Sequence, residues 1–285
     1  MPLRSYSVDS VKHFSSSEPV LLSEVVQDVL GISYERFKQL AKLGAIYVDN
    51  YRQEKDKWIL KNSVFRVHTQ PRRYDCNYSW KTLVIFENEY FLVLNKPSGI
   101  PSHPSVDNVI EDALTQTSLA IKTPLFVTHR LDTLTAGLIV YGKKKQFVKD
   151  FNIQMIEHKI EKKYVALVET DRILPKILTH YMDPSPGTPK KLSEDANDGW
   201  DKCKLEILEQ TRVSEAISHL KIKLLTGRTH QIRSQLSYLA APIVGDILYG
   251  SKWPFRKNAI ALRSCELAFN FEGQKMKFSL NEDFN

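Results

Sequence analysis

Thr128-His129-Arg130-Leu131-Asp132-Thr133-Leu134-Thr135-Ala136-Gly137 runs straight into the apolar stretch Leu138-Ile139-Val140-Tyr141. The second stretch has the composition of a buried strand. The first places one carboxylate, Asp132, between a basic pair and a turn of small residues. A carboxylate at the end of a buried strand and facing positive charge is expected to stay ionised. It can then act as a nucleophile or a base. Around this strand the pattern predicts further strands over 82–86, 91–95, 163–168, 203–208 and 219–224. The first two form a hairpin around Glu87-Asn88-Glu89. Helices are expected over 110–119 and 145–156, and 171–200, with four prolines, reads as a long loop region with one short strand. Many strands with few crossover helices imply an α+β fold with a mixed, mainly antiparallel sheet.

Upstream lies a smaller unit. Residues 1–18 are polar and serine-rich and read as a loose or late-docking arm. Over 19–70, Leu21, Leu22, Val25, Val26, Val29 and Leu30 recur at helical spacing and Gly31 stops the helix. Ser33 then has the character of an N-cap for a helix over 34–43 that ends at Gly44. Two short strands follow, 45–48 and 64–68, with a turn at Asp49-Asn50. Residues 71–81 read as a linker, and 82–285 as the large domain.

The chain of 285 residues is 42% hydrophobic and 26% charged, an ordinary globular balance that can bury a full core. Its net charge of +7 favours a polyanionic partner. Cys76, Cys203 and Cys265 are far apart in sequence and give neither a disulfide framework nor a zinc spacing, so a reducing cytoplasm and no metal are expected. No apolar run approaches the ~20 residues that span a bilayer, and the first residues lack the apolar core of a signal peptide.

Four stretches, in order, carry a resemblance to the RluA-type pseudouridine synthases. They are Asn95-Lys96-Pro97-Ser98-Gly99, His129-Arg130-Leu131-Asp132, the run from Lys162 through Tyr164 to Val168, and Gly227-Arg228-Thr229-His230-Gln231-Ile232-Arg233. Pro242-Ile243-Val244-Gly245-Asp246 and Leu248-Tyr249-Gly250 follow in the same pattern. The resemblance spans 80–270 and implies a pseudouridine synthase domain with a central cleft. The implied activity is isomerisation of uridine in RNA, with no cofactor, no nucleotide and no metal. Asp132 is the implied nucleophile, and attack on the base or on the sugar are both compatible with the residues.

Arg233 is the implied counter-charge, since a guanidinium within ~4–6 Å would keep the carboxylate ionised and orient it bidentately. Tyr164 is implied to pack against the target base and to serve in the later proton abstraction, although a phenol near pKa ~10 is a poor base at neutral pH. Ile232 is implied to lie against the base. Arg130 would fill the gap left by a flipped nucleotide. His129, on the RNA-binding side of the motif, would hold the loop, and Arg228 and His230 would fix their loop by hydrogen bonds or touch RNA phosphate, with no chemical step assigned to either. The unit at 19–70 resembles a degenerate alpha-L module, a small ribosomal-protein-like RNA-binding domain, which implies an RNA-facing role for Lys38 and Lys42.

The expectation is therefore a monomeric cytoplasmic enzyme acting on structured RNA, large-subunit ribosomal RNA in preference to transfer RNA. Two other readings stand against it. A non-catalytic ribosome-assembly factor on the same scaffold would have lost a motif residue, and Asp132, Tyr164 and Arg233 are all present. A glycoside hydrolase would need a second placed carboxylate. Asp246 is the other acid in a matching motif, and it reads as part of a structural turn.

Overall fold

The computed structural model describes residues 10–284, folded as two compact units. The smaller comprises the chain up to Asn77 together with His103–Gln116, and the larger comprises Tyr78–Ser102 and Thr117–Asn285. Among the described residues, no helix is long and apolar enough to cross a membrane.

In the smaller unit the order is β1 (Val11–Ser15), β2 (Val20–Leu21), α1 (Leu22–Leu30), α2 (Tyr34–Lys42), β3 (Ile46–Val48), β4 (Tyr51–Arg52), β5 (Trp58–Ile59) and β6 (Val64–His68). Four strands form one sheet in the order β1-β6-β3-β4, and β2 pairs with β5. Both helices end as the sequence predicts. Gly31 closes α1 in the left-handed region at φ 61°, and the Ser33 side chain accepts the Arg36 N–H at the start of α2. Asp49 and Asn50 both take positive φ, the geometry that suits a tight turn between β3 and β4. Leu22, Val26, Phe37, Leu40, Ile46, Phe65 and Val67 fill the core.

Two expectations are sharpened here. The sequence leaves 1–18 as a loose or late-docking arm; residues 1–9 lie outside the described residues, and Val11–Ser15 docks, pairing antiparallel with all of β6. Phe14 stacks on Phe65 at 4.8 Å, which supplies the apolar anchor that a serine-rich stretch conceals. The expected linker at 71–81 is tied down in its first half. Arg72 grips the buried Asp107 through its backbone and side chain, at 2.7–3.2 Å, and Arg73 pairs with Glu111. These ion pairs draw 103–116 into the smaller unit.

The larger unit continues with β7 (Val84–Glu87), β8 (Phe91–Lys96), the part of α3 (Ala113–Ile121) from Thr117 onward, β9 (Phe126–Val127), β10 (Ala136–Gly142), α4 (Lys145–Ile156) and β11 (Glu161–Glu169). Then come β12 (Ile177–Met182), β13 (Leu192–Ser193), β14 (Asp201–Arg212), β15 (Ile217–Leu224), α5 (Gln231–Tyr238), β16 (Leu262–Phe271) and β17 (Gln274–Ser279). Eleven strands make one sheet, with the path β13-β12-β14-β15-β11-β16-β10-β8-β7 and with β17 on β16 and β9 on β10. Every pairing is antiparallel except β10 with β16. This is the α+β, mainly antiparallel architecture expected.

Helix α4 places Phe147 and Phe151 one turn apart, and both meet Phe269, with Phe147 also stacked on Phe91. That aromatic block covers one face of the central strands. Residues 171–200 hold a full six-residue strand, β12, as well as the short β13. Helix α5 and strands β16 and β17 are absent from the sequence expectation.

The parallel contact is short, pairing Ala136 with Arg263 and Gly137 with Ser264. Gly137 sits at φ 110°, and a Cβ there would lie 2.1 Å from the Ser264 carbonyl oxygen. Only glycine permits this approach. Ser264 also pairs across its other edge with Tyr164, at a shift of register between Lys163 and Tyr164. The central strands thus line up Gly137, Ser264 and Tyr164 side by side, just past the segment that carries Asp132.

Candidate active site

Asp132 lies in the loop that leads into β10, and a second loop holds it there. The Ser102 hydroxyl accepts the Leu131 N–H at 3.0 Å and donates to the Leu131 carbonyl at 2.8 Å. Tyr141 in β10 donates its phenol to the Ser102 carbonyl at 2.5 Å. Gly99 N–H donates to the Thr133 carbonyl at 2.8 Å. Lys96 is fully buried, and its ammonium reaches the carbonyls of Pro97, Ile100 and Thr133. Burial lowers the Lys96 pKa to about 7, and the charge of Asp132 pulls it the other way. The Asn-Lys-Pro-x-Gly stretch is therefore the clamp of the Asp132 loop, with a cation at its centre.

Arg233 comes from the first turn of α5. Six successive residues of this helix, 231–236, are buried. Polar side chains tolerate that burial because each finds partners. Gln231 accepts from Thr226 and from Arg228 N–H and donates to the Lys204 carbonyl. Gln235 donates to the Leu178 carbonyl. These bonds fasten α5 over β12 and β14. The Arg233 guanidinium is bidentate to the buried Asp246, Nε to Oδ2 at 2.7 Å and Nη2 to Oδ1 at 2.8 Å. Its remaining nitrogen, Nη1, points to Asp132 Oδ2 at 3.4 Å. Burial works against the Arg233 charge, but the bonds to Asp246 and the field of both carboxylates outweigh it and raise the pKa.

The structure thus brings Arg233 to Asp132 but corrects the geometry expected of it. The fork belongs to Asp246, and Asp132 receives the single outer nitrogen. An end-on contact leaves the other Asp132 oxygen available, which a bidentate grip would not.

Tyr164 is 6% exposed. Burial first, and then the charge of Asp132, push its phenol above the usual range. Both act against formation of phenolate, so the resting tyrosine is a weaker base than an ordinary one. Ile232 is 4% exposed and lies next to Arg233 on α5.

Two more groups stand at the site. His230 Nε2 is 3.9 Å from Asp132 Oδ2, and its Nδ1 is 3.1 Å from the Tyr249 hydroxyl. The face of Tyr249 lies 4.9 Å from the Arg233 guanidinium carbon. Asp246, His230 and Tyr249 all sit inside the matching motifs, so sequence marked their segments but gave Asp246 the part of a turn and His230 no chemical step.

The residues expected at the RNA differ in placement. Arg130 is exposed, two positions before Asp132. Arg228 is exposed and paired with Asp201 at 3.0 Å. Lys38 and Lys42 are exposed on α2, Lys38 alongside Glu35 at 2.5 Å. For His129 the loop-holding part agrees with the geometry, and the RNA contact is corrected. The residue is buried, lies 5.8 Å from Phe151 in a stacked arrangement, and accepts the Val140 N–H on Nε2 at 3.1 Å. Burial lowers its pKa to about 3. A neutral ring held this way braces the loop against β10 and has no face for RNA.

A family model described as RNA pseudouridylate synthase matches residues 90–238. The chloroplastic RNA pseudouridine synthase 6 of Oryza sativa subsp. japonica is 36% identical over 208 residues, covering 65% of this chain and 43% of that protein. A protein named ribosomal large subunit pseudouridine synthase C, from Buchnera aphidicola, is 34% identical over 192 residues, covering 61% of this chain and 55% of its own length. The chain thus spans about half the length of these curated relatives. Among solved structures, human RNA pseudouridylate synthase domain containing 1 superposes with a TM-score of 0.55 at 22% identity, over 70% of this chain and 82% of that one. That likeness is one of fold.

Proposed function

The chain belongs to the RNA pseudouridylate synthase family, and from that premise we propose that it isomerises uridine to pseudouridine in structured RNA, with Asp132 as the attacking carboxylate. One observation carries the reading. Asp132 stands half-buried at the end of the central strand, 3.4 Å from an arginine that a second, fully buried carboxylate already holds in place. Such a preorganised charge pair is what a cofactor-free rearrangement requires.

In this reading the uridine leaves its stack to reach Asp132, because a paired base cannot meet a carboxylate at the mouth of a strand. Arg130, exposed on the same loop, takes the vacated place. Tyr164 and Ile232 bound the base. The raised pKa of Tyr164 supports a packing and hydrogen-bonding part over that of an independent base. The protein acts as a monomer in the cytoplasm without a cofactor. Its net charge of +7 and the exposed Arg228 and Lys42 support a polyanionic partner.

Large-subunit ribosomal RNA is the favoured target. The name of the Buchnera relative points that way, as does the ribosomal-protein-like pattern of the smaller unit. The test is to map pseudouridine across total RNA from cells with and without the gene, and with Asp132→Asn in its place. Sites that vanish in both the deletion and the variant, within large-subunit rRNA, are the expected result. An unchanged map overturns the reading, and loss from transfer RNA alone overturns the choice of target.

A further inference from the structure

His230 has no part in the function just proposed, yet among the described residues it is the imidazole that approaches the carboxylate, at 3.9 Å. It precedes α5 with φ at 58°, the left-handed region that few residues other than glycine adopt. The carbonyl of His230 accepts both the N–H and the hydroxyl of Ser234, which fixes the backbone in this bend. The ring is then set between two oxygens, with Nδ1 3.1 Å from Tyr249 Oη and Nε2 3.9 Å from Asp132 Oδ2.

The state of the ring follows from the proton on Tyr249. Tyr249 Oη accepts the backbone N–H of Lys190 at 3.0 Å. Its own O–H then needs an acceptor, and among the described residues His230 Nδ1, 3.1 Å away, is the one in hydrogen-bonding position. A neutral imidazole that accepts on Nδ1 carries its hydrogen on Nε2. Asp132 lies on that side.

We propose that His230 is a positioning residue for Asp132, held by the Tyr249 hydroxyl in the tautomer that turns an N–H toward the carboxylate. The role rests on the reading of Asp132 as the attacking group. The chain of contacts runs from the backbone of Lys190, in the segment between β12 and β13, through Tyr249 and His230 to Asp132. It gives the segment at 171–200 a route to the chemistry. The gap of 3.9 Å is longer than a hydrogen bond, and such contacts tighten when substrate closes a site. With Arg233 Nη1 on the same oxygen, the imidazole N–H leaves Oδ1 as the attacking atom. Burial keeps the ring neutral, against the pull of Asp132 and Asp246 and with the push of Arg233 and Lys190. These four, together with Tyr249, are the titratable or charged groups that face it.

The test uses the full chain with 15N-labelled histidine and long-range 1H–15N correlation, His230→Gln identifying the signal among the eight histidines. The expected spectrum shows a neutral ring protonated on Nε2, and Tyr249→Phe shifts the Nδ1 signal, which loses its hydrogen-bond donor. A wild-type ring protonated on Nδ1, or an Nδ1 signal that Tyr249→Phe leaves unchanged, overturns the proposal.

Turnover gives the second readout, with total RNA from cells lacking the gene as the probe. In Tyr249→Phe, kcat at pH 8 should fall about tenfold with KM within about twofold. His230→Gln, which still offers an N–H, should keep several-fold more kcat than His230→Ala. Equal kcat for Gln and Ala, or a wild-type kcat in Tyr249→Phe, also overturns it. Wild-type protein that forms no pseudouridine counts against the isomerase reading instead, and the spectrum still decides the tautomer.

Discussion

Arg233 is shared unequally by two carboxylates, and the inequality predicts how each responds to substitution. Asp246 holds the fork at 2.7–2.8 Å while Asp132 receives one nitrogen at 3.4 Å. Asp246→Asn leaves a buried guanidinium underpaired, which costs roughly 3–5 kcal/mol. For a unit of this size that corresponds to a fall in melting temperature on the order of 10 °C, read by calorimetry. Asp132→Asn keeps the anchored arginine, so its melting temperature should stay within about 2 °C while pseudouridine formation falls at least ~1,000-fold. A wild-type rate in Asp132→Asn would remove it as nucleophile. Tyr164 makes a third case. If phenolate were the resting base, the single-turnover rate would rise tenfold per pH unit between pH 7 and 9. With its pKa pushed above the usual phenol range, we expect a rate that changes by less than twofold over that interval. The sequence singled out Asp132, Arg233 and Tyr164 because their motifs are specific, and the fold sets Arg233 beside Asp132. Sequence missed the role of Asp246 because a carboxylate after Gly245 has the outward form of a turn residue, and only the fold shows the guanidinium it faces.

Strands and helices were legible wherever apolar periodicity produced them. The expected helix at 145–156 coincides with α4, whose Phe147 and Phe151 enter an aromatic core. Helix α5 broke that rule. Gln231, Arg233, Ser234 and Gln235 are all buried among polar partners, so no apolar stripe announces it. Strand β12 is masked by the prolines and charges around it, though its own alternation, buried at Leu178, His180 and Met182, is regular. The close pass of β10 and β16 yields a sharp expectation. Gly137→Ala would set a Cβ 2.1 Å from a backbone carbonyl and demand a φ of 110°, so the variant should lose the native fold or several kcal/mol of stability in denaturant titration. The brace between His129 and β10 carries a pH signature. Its folded pKa of about 3 lies below the unfolded value near 6.5, so the unfolded chain binds the extra proton between those limits. The stabilisation is complete above pH 6.5 and is lost as pH falls, by roughly 2 kcal/mol between pH 7 and 5. His129→Gln, which can still accept the Val140 N–H, should lack that part of the acid slope in unfolding titrations.

At the level of the whole molecule the sequence disclosed two units but not how the chain divides between them. The apolar pattern of 19–70 is self-contained, whereas His103–Gln116 is joined to it through Arg72–Asp107 and Arg73–Glu111, pairs that no periodicity reveals. Removing residues 1–70 would therefore strip away a core and leave those charged segments without it, and a loss of activity would say little about RNA. Substitution on the surface of α2 asks the question more cleanly. Arg36 is already committed to the Thr69 carbonyl and to Gln39, and Lys38 shares its charge with Glu35, so Lys42 should carry the larger share of any phosphate contact. Replacing Lys38 and Lys42 together by Glu should raise the KM for RNA at least about tenfold at low salt, more than it lowers kcat. It should also reduce the slope of log affinity against log salt by about 1–2. Melting temperature serves as the control, because both side chains are exposed and outside the core of the unit. An unchanged KM and an unchanged salt slope would mean that the smaller unit no longer grips RNA, and that recognition resides in the larger unit alone.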